Sequence, residues 1–311
     1  MTEKAITIIG HYGMSMLMDV QRFPAVGETV EGMALDTEPG GKGYNQAVAA
    51  SRLGATVNFI TAVGGDEFGT QCDRDLIEEN VQGRYIIRFA DQRTAFALVA
   101  NSADKQSQVY VYPGAIRSVA PEHIIKYGDV IAQSGLLLVQ NEISIESLCA
   151  AVDIAYKADV PVIYNPAPAR EMPRDVFSKL LCITPNETEA ATLIGADPNL
   201  PLDVDQAIEQ LHELGVKNVI ITLGSEGSVV SDGKQAVRVL PLKIPVVSTT
   251  GAGDAFNAGF AVAYIGSGDI FEAAKYASVA SGLQVMRPGV IASLPYREEA
   301  AKYYKDYCES L

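Results

Sequence analysis

The stretch TTGAGDAFNAG, Thr249 to Gly259, sets three small residues and a carboxylate against the start of an apolar run, and its reading decides the fold. If a helix begins at this turn, the bare backbone of Gly251, Ala252 and Gly253 points its first N–H groups outward, where they can hold an anion. Asp254 then lies at the helix N-terminus, favoured there by the dipole and placed to take a proton from a hydroxyl approaching the same anion. Phosphoryl transfer needs that equipment: positioning, charge neutralisation and one proton acceptor. A plain helix cap explains the turn equally well when it is taken alone. The run from Ala255 to Ile265 is too short for a membrane span, and a buried core helix is expected.

Working outward, buried strands are expected at Ala5–Ile9, Val57–Val63, Leu136–Val139, Val160–Tyr164, Cys182–Thr184 and Asn218–Leu223. Helices are expected at Asn45–Leu53, Thr70–Asn80, Ile145–Lys157, Glu187–Leu193 and Val204–Leu214, with GGDEFG (Gly64–Gly69) as a turn and Gly215 as a C-cap. This β-then-α alternation predicts a doubly wound, Rossmann-like α/β core, a mainly parallel sheet flanked by helices. Two regions break the pattern. Residues 11–40 are rich in Met, Gly and Pro, with a half-exposed strand at Glu28–Leu35, and Tyr85–Phe89, Thr94–Ala100 and Gln108–Tyr112 are three strands in succession. The three successive strands predict a small antiparallel patch separate from the main sheet, and the 11–40 segment stands apart from the alternation.

Composition narrows the function. With 48% hydrophobic residues the 311-residue chain can bury one large core. A formal net charge of −14 and a pI near 4.7 argue against nucleic acid or an anionic membrane as partner, so any phosphate must be held locally. Four scattered cysteines with no CxxC indicate neither zinc nor disulfides, and together with an N-terminus lacking a signal-peptide core they suggest a cytoplasmic protein.

Neither GxxxxGK[ST] nor GxGxxG is present. The cluster Gly40, Gly41, Lys42, Gly43 is a tight turn into a helix, or a place where backbone approaches a ligand while Lys42 and Asn45 bond its hydroxyls. Glu142, just past a strand, is a solvated acid or a pocket acid. Asn186 and Glu189 are a cap and first-turn acid, or they order water around Mg²⁺, which keeps most of its waters. Thr222–Gly227, TLGSEG, is a turn between strands or a phosphate cradle.

In this order the motifs resemble the ribokinase family of sugar kinases, also called the PfkB family, over nearly the whole chain. PGGKGYNQAVAASRLGA (Pro39–Ala55) is similar to the family's N-terminal signature and TTGAGDAFNAGF (Thr249–Phe260) to its C-terminal one, while NPAPAR (Asn165–Arg170), TPNETEA (Thr184–Ala190) and ITLGSEG (Ile221–Gly227) match further family segments. The resemblance implies a single catalytic domain over 1–311, with a large α/β part and a β-sheet lid from about 11–40 and 85–115, dimerisation through the lid, and ATP with Mg²⁺. It makes Asp254 the base, Gly251–Gly253 the anion hole, and Asn186, Thr222, Gly224, Ser225 and Gly227 nucleotide-binding residues. Glu189 completes an NxxE motif associated with Mg²⁺, and Gly41, Lys42, Asn45 and Glu142 hold the sugar.

Two departures stand out. Ribose-specific members carry an Asn and an Asp where this chain has Gly13 and Ser15, and an Asp that helps bind a monovalent cation is here Ser248. Residues 11, 13 and 15 of a strand share a face, so His11, Gly13 and Ser15 are expected to line the pocket, with Gly13 leaving room and Met14 and Met16 turned into the core. His11 is otherwise only a satisfied polar residue beside the turn. The expected activity is ATP-dependent phosphorylation of a hydroxymethyl group on a sugar-like substrate, with ribose a poor substrate and potassium dependence weak. The alternatives are a kinase for ribose itself, a nucleoside, a ketohexose or a deoxysugar, and a catalytically silent sugar or nucleotide sensor.

Overall fold

The structure is a computed structural model describing residues 4–104 and 106–310. Its large sheet holds β1 (Ile6–Ile9), β4 (Val57–Gly64), β5 (Gln82–Phe89), β8 (Leu136–Gln140), β9 (Val162–Asn165), β10 (Cys182–Ile183), β11 (Asn218–Thr222), β12 (Ser228–Ser231) and β13 (Ala236–Val239). The order is β13-β12-β11-β10-β9-β8-β1-β4-β5, parallel from β5 to β11 and antiparallel at the last two strands. The chain runs outward from β1 in one direction through β4 and β5, then returns to β8 and proceeds the other way. This reversal creates the crevice at the strand carboxyl ends where doubly wound folds bind ligands. Helices on both faces bury β1, β4, β8 and β9 completely, which is why these strands are continuous apolar runs rather than alternating ones.

A second sheet, order β3-β2-β6-β7, stands apart, with β2 (Gly13–Val20), β3 (Gly32–Gly40), β6 (Ala95–Ser102) and β7 (Ser107–Tyr112). It corrects the sequence reading in several places. Tyr85–Phe89 belongs to β5 at the edge of the large sheet, where Tyr85 pairs with Ile60 and Ile87 with Ala62. The strand expected at Glu28–Leu35 begins only at Gly32. The new sheet is not purely antiparallel, because β2 pairs β6 in parallel. Of the two methionines expected in the core, Met14 is buried but Met16 is only half-buried, and Met18 is 39% exposed. The GGDEFG segment is a turn only at its start: Asp66 caps the helix Glu67–Glu78 by accepting from the Gly69 N–H. Helices Ile145–Lys157 and Glu187–Leu193 lie where expected, and two more follow at Ile270–Val285 and Arg297–Glu309.

The helix Ala252–Ser267 is buried from Asp254 to Ala261 and lies against Ile270–Val285. Its N-cap, Gly251, has φ of 81°, a left-handed conformation that costs a side chain energy. The helix Lys42–Arg52 starts close to the end of β1. A Cβ on Gly43 would lie 2.6 Å from the Gly10 Cα, so the two glycines let backbone pass backbone there.

Candidate active site

The carboxyl ends of the strands converge on Asp254, which is 6% exposed. Asn45 Nδ2 donates to one carboxylate oxygen at 2.8 Å and Gln46 Nε2 to the other at 3.0 Å. Gln46 is in turn fixed from behind, donating to Asn165 Oδ1 at 3.2 Å and accepting from Gln140 Nε2. Thus the first turn of the Lys42–Arg52 helix and the ends of β8 and β9 jointly fix the orientation of the carboxylate. Burial pushes its pKa above the ordinary carboxylate value, against the pull of the Lys42 ammonium and the two amides. The carboxylate is thus buried and tuned upward, the direction that strengthens a base.

Lys42 is where its charge counts. Burial alone would lower its pKa, but Asp254, Glu142 and Glu189 outweigh burial and hold the ammonium above its usual range. Its backbone N–H donates to Glu142 Oε2 at 2.8 Å, and His11 Nδ1 lies 3.8 Å from Glu142 Oε1. His11 Nε2 is buried with no hydrogen-bond partner among the described residues. Gly41, with φ of 102°, caps this helix so closely under His11 that a Cβ would meet the His11 carbonyl oxygen at 2.5 Å.

At the anion-binding turn the Ala252 N–H bends back to Thr249 O at 3.3 Å, while the N–H groups of Gly253 and Asp254 find no backbone acceptor among the described residues. A Cβ on Gly253 would meet nothing within 4 Å, so the turn is bare on the side where a phosphate would approach. Beside it lies a cavity of about 590 Å³ whose lining includes Asn186, Thr222, Gly224, Ser225, Gly227, Ala252 and Gly253. The floor of this cleft is set by the bridge between Asn186 and Thr222 and by the 3₁₀ turn Gly224–Glu226 between β11 and β12. TLGSEG is therefore a turn between strands, and the same turn lines the cavity.

Asn186 and Glu189 form a reciprocal cap, each side chain accepting the other's backbone N–H, at 2.8 and 2.9 Å. That commits one oxygen of each. The second Glu189 oxygen remains, and burial raises the pKa of this carboxylate while Lys42 lowers it. No cluster of three or more His, Cys, Asp or Glu that could hold a metal occurs among the described residues, so a Mg²⁺ here would keep most of its water and meet Glu189 through it.

Gly13 does not open a pocket. A Cβ there would meet the Ala95 carbonyl oxygen at 2.7 Å, so the space that the sequence suggests is occupied by β6. Ser15 faces Glu38 across the β2–β3 pair, and the Glu38 carboxylate lies beside Gly289, where a Cβ would come within 3.8 Å of it. Sequence reasoning missed Glu38, Gln46, Gln140 and Asn165. Only Gln46 and Asn165 lie within stretches quoted as family signatures, and their partners are distant in the chain.

A comparison with known proteins closes the argument, because the pfkB family carbohydrate kinase pattern matches residues 5–297. The chain belongs to the PfkB family of carbohydrate kinases. It is 32% identical over 301 residues to the ribokinase of Haemophilus influenzae, covering 96% of this chain and 98% of that one. To the deoxyribokinase of Salmonella typhi it is 31% identical over 299 residues, covering 96% and 98%. Arabidopsis thaliana ribokinase, solved with ribose and ATP, superposes with a TM-score of 0.91 at 29% identity over 98% of this chain and 99% of that one. A sugar kinase of the ribokinase family is thus what the fold encloses, a phosphotransferase with an alcohol acceptor. The large α/β sheet with its smaller sheet is the ribokinase-like fold.

Proposed function

We propose that this PfkB kinase transfers the γ-phosphoryl group of ATP to a hydroxymethyl group of a sugar or sugar-like substrate, and that free ribose is not its preferred acceptor. The observation that carries the transfer is the placement of Asp254. It lies between the cleft lined by Asn186, Thr222, Gly224, Ser225 and Gly227 and the group Lys42, Asn45, Glu142 and His11. Nucleotide in the cleft would bring its terminal phosphate to the bare Gly253 turn. The sugar would be held by Lys42, Asn45 and Glu142, with Gly41 allowing close approach. Asp254 then takes the hydroxyl proton as the oxygen attacks phosphorus in line, while the Gly251–Gly253 backbone and Lys42 meet the developing charge. Mg²⁺, met through the free oxygen of Glu189, would neutralise phosphate charge.

The substrate preference rests on the lid-side wall. Gly13 supplies no hydrogen-bonding group and, with Ala95 against it, no extra space; Ser15 supplies one neutral hydroxyl. His11 Nε2 offers a hydrogen-bonding site without a partner, beside Glu142. A hydrogen bond from a charged group typically contributes about 1.5–3 kcal/mol, so the neutral hydroxyl of Ser15 forfeits about ten- to a hundredfold on a substrate shaped for an acid at that position. The test compares kcat/KM for ribose, deoxyribose, fructose, 2-keto-3-deoxy sugar acids and nucleosides. Ribose should rank below at least one other acceptor, and Ser15→Asp should raise the relative rate on ribose. Ribose as the best acceptor would leave a kinase of ribose itself as the better reading.

We also infer a homodimer formed through the lid. One face of the small sheet carries Met18, Leu35, Leu98, Tyr110 and Tyr112, all large, apolar and exposed. The opposite face carries Ser15 and Glu38 toward the site. An exposed apolar sheet of this kind is a liability that a second copy would cover.

A further inference from the structure

Gln284, near the end of the Ile270–Val285 helix, is fully buried, and its side-chain amide does not face another side chain. Its Nε2 lies 3.1 Å from the carbonyl oxygen of Thr250, 3.1 Å from that of Val290 and 3.5 Å from that of Gly289. Three carbonyl oxygens from two separate segments therefore converge on one nitrogen that carries only two hydrogens. The orientation of the amide follows from the acceptors, since turning it over would press Oε1 against three oxygens of like partial charge. Oε1 itself is buried without a partner.

Both segments bear on the anion-binding turn. Thr250 immediately precedes Gly251, and a Cβ on Gly251 would meet Gln284 Nε2 and Val290 Cγ1, each at 2.9 Å. The stretch before the turn hangs from the same helix end, with Val247 N–H and Ser248 N–H both donating to Val285 O at 2.7 and 3.2 Å. On the other side Ser293 Oγ donates to the carbonyls of Pro288 and Gly289, so the 288–293 loop is folded around the same point. A Cβ on Gly289 would lie 3.8 Å from Glu38 Oε2, so the lid strand β3 comes up against this loop.

Convergent backbone carbonyls are the usual lining of a monovalent-cation site, where they replace the ion's water. The residues here do not fit such an ion: Ser248 contributes no carboxylate, and the Thr250, Gly289 and Val290 carbonyls already bond to an amide. We propose that Gln284 is a covalent substitute for a monovalent cation, a positioning residue that holds the anion-binding turn and makes this kinase indifferent to sodium and potassium. It touches neither substrate nor phosphate and acts through Thr250 and Gly251. Its effect on rate rests on the kinase reading above; its effect on cation binding does not.

The experiment measures kcat and Tm for the full chain, for Gln284→Ala and for Gln284→Met, in tetramethylammonium, sodium and potassium chlorides at one ionic strength. Wild-type kcat should agree within about twofold across the salts. Gln284→Ala leaves the carbonyls facing a space, so it should lose about tenfold or more in tetramethylammonium and recover most of that in sodium or potassium, with a rise in Tm specific to the smaller ion. Gln284→Met fills the space without supplying a donor, so it should lose activity with no recovery. A wild type activated severalfold by potassium would overturn the proposal. So would a Gln284→Ala enzyme whose rate and Tm are the same in every salt, or a Gln284→Met enzyme with full activity. If Gln284→Ala does not fold, wild type and Gln284→Met still decide. If no sugar is turned over, the Tm of Gln284→Ala still reports whether a cation enters, which separates failure of this idea from failure of the kinase reading.

Discussion

In the large sheet, β1, β4, β8 and β9 bury every residue, whereas in the lid β7 exposes all six of its residues and β3 its first six. The polar groups divide in the same way. Asp254, Asn45, Gln46, Gln140 and Asn165 form a connected, buried set beneath the site, while the lid brings to it Ser15 and Glu38 from strands that water reaches. Buried polar groups without partners are costly, so the set beneath Asp254 admits few substitutions. A thin sheet with two accessible faces tolerates many. The difference is one way a scaffold could keep its buried polar set while the lid varies, and four experiments test it.

The largest effect belongs to the buried side. Asp254→Asn should lower kcat by about 10²- to 10⁴-fold while nucleotide affinity changes little, since it removes the proton acceptor and keeps the shape. Steady-state kinetics with titration of an ATP analogue checks this, and near-normal turnover would remove Asp254 from its role.

The second compares stability across the two sheets. Ile163→Ala, in a strand with no exposed residue, should cost about 2–5 kcal/mol, whereas Val109→Ala, on the lid face opposite the proposed dimer contact, should stay within about 0.5 kcal/mol. Urea unfolding of both variants reads the contrast, and equal losses would show that the lid is part of the same packed core.

Gln46→Leu removes one of the two hydrogen bonds to Asp254. Without that donor the carboxyl should be harder still to ionise, so the acid limb of kcat/KM should move to higher pH than in wild type, where burial already holds it above the ordinary value of about 3.9. The sign for stability follows. A raised carboxylate pKa in the folded protein means that the folded state binds the proton more tightly than the unfolded chain. Its contribution to stability is therefore lost as pH rises from the ordinary value through the folded one. An unmoved acid limb in Gln46→Leu would reduce Gln46 to a packing role.

The smallest effect on chemistry is expected at the outer face of the lid. Leu98→Lys should halve the mass seen by sedimentation at micromolar concentration and change kcat by less than about threefold. A wild type that sediments as a monomer removes the proposed dimer, and an unchanged dimer in the variant moves its interface elsewhere.

Much of this protein is local information. The turn at Gly251 and the caps at Asp66 and Asn186 depend on residues within a few positions of one another, and the continuous apolar strands declare that both faces of the sheet are covered. The order of strands and helices through most of the large sheet was therefore readable, and the quoted signatures single out Lys42, Asn45 and Asp254, which folding brings together. Tertiary structure decided what depends on distant partners. Gln46 and Asp254 are 208 positions apart, and nothing near Gln46 says that its amide faces a carboxylate. The sequence placed Tyr85–Phe89 with the strands that follow it, but its partner is β4, which its own strand reaches through the Glu67–Glu78 helix. Gly13 looked like an open space because a missing side chain is all a sequence shows, and the Ala95 carbonyl that fills it lies on another strand. Gln284 was silent for the same reason: an amide has no meaning in a helix until the carbonyls it meets are brought to it by folding.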